Sequence, residues 1–83
     1  MYDAKDFARD PEKYRLFKTA QIARNVFTNN GEFDLPEGKF VGLRYRCTAR
    51  NQLFRRDEPV YTVTADGKEW GDIYGNALTG FTL

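Results

Sequence analysis

The chain has 83 residues, 13 basic and 12 acidic side chains, no His, one Cys and a formal charge of +1. It lacks the side chain that most often moves protons near neutral pH, and one Cys builds neither an internal disulfide nor a Cys-rich zinc site. At 41% hydrophobic and 30% charged residues the composition fits one small domain over residues 1–83, with no apolar run near the roughly 20 residues that span a bilayer. The first six residues carry no apolar signal core, and the lone Cys47 suits a reducing cytoplasm.

The first element reads as helix. Asp3 is placed to cap residues 4–9, with Asp6 adding negative charge in the first turn. Asp10-Pro11 offers a second start, the aspartate as N-cap and the proline at the first helical position. Two readings diverge from there. Leu16, Ala20, Ala23 and Phe27 fit a helical stripe, so a helix from Pro11 as far as Phe27 is one. The other ends the helix near Lys18 and makes residues 20–28 a strand, because Asn30-Gly31 is a strong hairpin signal. That turn sets Val26 opposite Leu35 and Thr28 opposite Phe33. The strand is the preferred reading, with residues 1–19 as a helical segment. Tyr2, Phe7, Tyr14 and Phe17 then dock the helix on the sheet, since a short helix gains most of its stability from burying one face.

Residues 40–48 alternate cleanly. Val41, Leu43, Tyr45 and Cys47 point one way, and Phe40, Gly42, Arg44, Arg46 and Thr48 the other. Cys47 is therefore expected as a small core residue rather than a nucleophile. A polar loop over residues 49–58 follows. Pro59 opens a strand over residues 60–64, and Asp66-Gly67 is a type I′ hairpin signal. In that register Val63 faces Trp70 and Val60 faces Ile73. Residues 74–78 read as a tight turn and 79–83 as a last short strand. The expected core is Leu35, Val41, Leu43, Tyr45, Val63, Trp70, Ile73, Leu78 and Phe81.

The order of these motifs resembles the SH3-like barrel. Residues 32–41, with Glu32, Asp34, Leu35 and Gly38 before Phe40 and Val41, look like its diverging turn. Residues 67–78, ending in Gly75-Asn76-Ala77-Leu78, look like its closing hairpin and one-turn 3₁₀ helix. The resemblance covers residues 20–83. It implies an α+β, mainly β fold: a short N-terminal helix followed by a five-stranded SH3-like barrel. It does not extend to recognition of proline-rich peptides. The first-strand tyrosine motif is replaced by Ala23-Arg24-Asn25-Val26-Phe27, the expected proline by Tyr74, and the 3₁₀ tyrosine by Ala77 or Leu78.

The near-zero charge hides an uneven distribution. Residues 38–56 hold Lys39, Arg44, Arg46, Arg50, Arg55 and Arg56 and no acid, while residues 57–83 hold five acids and only Lys68. Either folding pairs these segments, or they stand as separate faces. Phe54 sits among the arginines and is placed to stack on a base or to plug the end of a barrel.

No phosphate-binding glycine loop, calcium-loop spacing or nucleophile–base set is present, so no enzyme, metal or cofactor is expected. The leading expectation is a small protein that acts by surface contact with a host protein or ribonucleoprotein complex. In size and charge segregation it is similar to phage and mobile-element accessory or inhibitor proteins, anti-CRISPR proteins among them. The alternative is direct nucleic-acid binding. The candidate binding residues for both are Arg44, Arg46, Arg50, Phe54, Arg55 and Arg56. A homodimer is compatible with the same Arg-rich loop and the short last strand.

Overall fold

The structure, a computed structural model, describes residues 3–27 and 33–83, with the side chains of Phe27, Phe33 and Asp34 left aside. The fold is α+β and mainly β. Among the described residues two short helices, α1 (Ala4–Arg9) and α2 (Pro11–Leu16), precede seven strands. The Asp3 side chain accepts from the Lys5 amide at 2.8 Å. Asp10 ends α1, and its side chain accepts from the Lys13 amide at 3.3 Å, with Pro11 opening α2. At Phe17 the backbone turns extended, so the helix does not continue to Phe27. The strand reading is the one that holds.

The first strand, β1 (Thr19–Ile22), stops short of residue 28, and β2 (Val26–Phe27) resumes after a bend. β2 pairs with β3 (Phe33–Leu35), and Val26 stands opposite Leu35 as expected. A register shift next to it sets Phe27 opposite Phe33. Thr28 and the Asn30-Gly31 turn lie outside the described residues. Four longer elements follow: β4 (Phe40–Asn51), β5 (Arg56–Ala65), β6 (Lys68–Tyr74) and, after a 3₁₀ turn at Gly75–Ala77, β7 (Leu78–Thr82).

Five of these strands form one antiparallel sheet in the order β6-β5-β4-β1-β7. The sheet is open, with β6 and β7 as its edges. The loop expected over residues 49–58 is mostly strand: Ala49 pairs with Glu58 and Asn51 with Arg56, leaving only a four-residue turn between them.

Two irregularities correct the alternation read from sequence. Between Tyr45 and Cys47 the β4–β5 register slips, Tyr45 facing Tyr61 and Cys47 facing Val60. The extra residue, Arg46, turns the following side chains over, because a one-residue insertion reverses the period-two pattern. Cys47 is exposed rather than in the core. The β5–β6 hairpin does begin with a type I′ turn, Asp66 and Gly67 both having positive φ (55° and 76°). It then bulges at Trp70, so that Val63 faces Gly71 and Val60 faces Tyr74. Gly71 takes a φ of 108°, a conformation open mainly to glycine.

The core contains Leu35, Val41, Val63, Ile73 and Leu78 as expected, with Leu43, Tyr45, Trp70 and Phe81 half-buried around it. Ala20, Ile22 and Tyr61 join it. Tyr61 is fully buried, and its hydroxyl donates to the Tyr14 carbonyl at 2.7 Å. The rings of Phe7, Phe17 and Phe81 each pack within 5.5 Å of Tyr14. This aromatic cluster seats the helices on the sheet. Neither helix is long and apolar enough to cross a membrane.

Candidate functional site

The six candidate residues divide into two groups. Arg44 and Arg46 lie on β4, across β5 from β6. Arg44 meets Glu69 at 3.4 Å, and Arg46 pairs with Asp72. Asp72 also accepts from the Thr62 hydroxyl at 2.9 Å. Thr62 is buried beside this ion pair. Lys39 reaches Asp66 at 2.9 Å. Antiparallel pairing has thus brought half of the basic central segment onto the acidic C-terminal one. These contacts are largely solvated, and each contributes at most about 1 kcal/mol. Their main effect is to leave little net charge on that face.

The other group sits around the turn between β4 and β5, with Arg50 near the end of β4, Phe54 and Arg55 in the turn and Arg56 opening β5. Asn51 is buried, and its side-chain oxygen accepts from the Leu53 amide at 3.0 Å and the Phe54 amide at 3.4 Å. Such a side-chain-to-backbone bond is how asparagine builds a tight turn. Arg50 donates to the Arg55 carbonyl at 3.0 Å across the same turn, and Arg55 takes a left-handed φ of 54°. The clasped backbone pushes Leu53 and Phe54 outward, to 83% and 44% exposure. Phe54 does not plug the fold. Its ring lies beneath the Arg56 guanidinium, 5.0 Å from centroid to Cζ, a cation–π contact. Among the described residues no carboxylate forms an ion pair with Arg50 or Arg55, although Asp57 stands opposite Arg50 in the β4–β5 ladder.

Sequence reasoning missed what anchors this end. Glu58, expected in a solvated loop, is 0% exposed. Its Oε2 accepts from Arg56 Nε at 3.0 Å. Its Oε1 accepts from the Asn76 amide at 3.1 Å and from Asn76 Nδ2 at 2.6 Å. The Asn76 carbonyl in turn accepts from Arg24 at 2.9 Å, and the Asn76 side-chain oxygen from the same guanidinium. One buried carboxylate thus joins β5, the 3₁₀ turn and the β1–β2 bend. Arg56, two residues before Glu58, was the available signal, but nothing local indicates burial.

Two depressions flank Phe54. One, of about 470 Å³, is lined by Gln21, Arg24, Glu37, Arg56 and Asn76 among others. The other, of about 330 Å³, has Val26, Leu53, Ile73 and Tyr74 in its wall. Tyr74 also donates from its hydroxyl toward the Arg50 carbonyl at 3.5 Å. Among the described residues no three His, Cys, Asp or Glu side chains converge as a metal site would need. Comparison with protein-family models, curated proteins and solved structures finds no match.

Proposed function

We propose that this chain is a non-catalytic binding protein on an SH3-like barrel plan, acting in the cytoplasm by contact with a host protein or ribonucleoprotein complex. Three features support the plan. The sheet order β7-β1-β4-β5-β6 places the last strand beside the first. The small β2–β3 ladder is inserted between β1 and β4, and a 3₁₀ turn precedes the final strand. Fold alone carries no activity, so the function rests on the surface.

The observation that carries it is the β4–β5 turn. There, exposed Leu53 and Phe54 stand beside arginines, while the other arginines of the central segment are matched by acids. An apolar pair projecting from a turn held by Asn51 and Arg50 is the kind of anchor that fills a partner's pocket. The phage-accessory or inhibitor role belongs to this reading as its biological setting. The test is retention of protein from nuclease-treated host lysate by the wild-type chain and by L53D. A stoichiometric partner held by the wild type and lost by the variant is expected. Equal retention, or none by either, overturns the reading.

Direct nucleic-acid binding is the second reading, favoured by one observation: the exposed Phe54 ring among arginines suits a stacked base. Pairing of Arg44 and Arg46 with Glu69 and Asp72 counts against it, because those charges are already answered. A labelled oligonucleotide at low salt decides. Nucleic-acid binding requires a complex whose affinity falls steeply as salt rises.

A further inference from the structure

Resting on the protein-contact reading, we infer that the β4–β5 turn takes an acidic segment of the partner that also carries apolar side chains. The charge balance at this end points there. Arg50 and Arg55 form no ion pair among the described residues, and Asp57, opposite Arg50 in the β4–β5 ladder, is one acid set against these two cations. Arg24 is held by Asn76, and Arg56 by Glu58. Asp72 and Glu37 also lie near enough to oppose an acidic ligand. Asp72 is engaged by Arg46 and Thr62. Glu37 lines the depression beyond Phe54. With Arg50 and Arg55 against Asp57 alone, that side keeps a net positive charge, so the partner's acids belong there, beside Tyr74, where charge complementarity steers docking and fixes its direction.

The apolar requirement comes from the same geometry. Phe54 forms a ridge with a depression on each side, and Leu53 walls one of them. A purely electrostatic ligand leaves both Leu53 and the Phe54 ring in water. A ligand with leucine-sized side chains covers them, and apolar burial of that size accounts for a large share of the affinity. The turn is preorganised by Asn51 and Arg50, so docking orders little additional chain.

The experiment titrates ¹⁵N-labelled protein with an acetylated peptide of four Asp-Asp-Leu units. The comparison probes are four Asp-Asp-Ser units, four Lys-Lys-Leu units and a twelve-nucleotide single strand. The expected result is saturable shifts confined to residues 50–56 and 74–76 with the first peptide, and binding at least about tenfold weaker with the serine peptide. L53S removes an exposed side chain without touching the core, and R55N suits the left-handed backbone at that position. Each is expected to weaken the first peptide about three- to tenfold while the amide spectrum stays folded.

Equal binding of the serine peptide, preference for the lysine peptide, or no binding overturns this inference. Protein contact itself is judged separately, by a photo-crosslinker placed at position 53 in nuclease-treated lysate. A captured partner linked through a basic or uncharged segment sinks the acidic assignment and leaves the protein-contact reading standing. Oligonucleotide binding at residues 50–56 with no protein captured removes both.

Discussion

Glu58 shows how much one side chain can hold. It is fully buried between two donors on Asn76 and one on Arg56, so every acceptor direction that faces a donor is used. Truncating one member of a buried charged network leaves the others desolvated and unpaired, which costs more than the interaction itself contributes. Glu58→Gln is expected to cost about 2–4 kcal/mol, because a side-chain amide sets its NH₂ against a donor whichever way it is flipped. Urea unfolding measures this, and a loss below about 1 kcal/mol contradicts the network. Tyr61 is the apolar counterpart. It is missing from the core expected from the sequence, yet it is fully buried, with its hydroxyl donating to the Tyr14 carbonyl. Its identity as core follows from a contact 47 residues distant in sequence, which no local pattern records.

Elements with strong chemical punctuation were legible. Asp3, Asp10-Pro11 and Asp66-Gly67 each fix the backbone through bonds or dihedrals spanning a few residues. Elements that depend on a register slip were not. The bulge at Arg46 reverses Cys47, and the bulge at Trp70 moves Tyr74 opposite Val60. Gly71 makes the second bulge possible. A Cβ there meets no heavy atom within 4 Å, but the φ of 108° is unfavourable for any other residue. Gly71→Ala is therefore expected to cost about 1–3 kcal/mol through backbone strain alone, seen as a lower urea midpoint with unchanged slope. An unchanged midpoint means that the register read for β5–β6 is wrong.

Across the whole molecule, the N-terminal helices and the sheet are joined by the aromatic cluster around Tyr14. Burial raises the Tyr14 hydroxyl above its ordinary value of 10.0, with the charges of Asp6 and Asp3 adding to the shift and Arg9 and a backbone hydrogen bond at Asp3 opposing it. The folded state therefore holds this proton more tightly than the unfolded chain. Its contribution is complete below the ordinary value and is lost as pH rises through the folded one, since the unfolded chain ionises first. Tyr14→Phe keeps the ring but removes the titration. The variant is expected to lose less stability than the wild type between about pH 9 and 11, as followed by urea midpoints across that range. Parallel curves for the two proteins refute the assignment.

The charge question raised by the sequence has a divided answer. Composition, capping residues, the I′ turn and the apolar strand positions are local quantities, and they sufficed for an α+β, mainly β chain with helices first. Whether the arginines were neutralised is not local, because it depends on which strands become neighbours. Pairing β4 and β6 on either side of β5 set Arg44 and Arg46 against Glu69 and Asp72. Arg50 and Arg55 stayed with Leu53 and Phe54 at the turn, beyond the reach of those acids. Strand order and two single-residue bulges, set by packing of residues far apart in sequence, turned a +6 segment into one quiet face and one exposed tip.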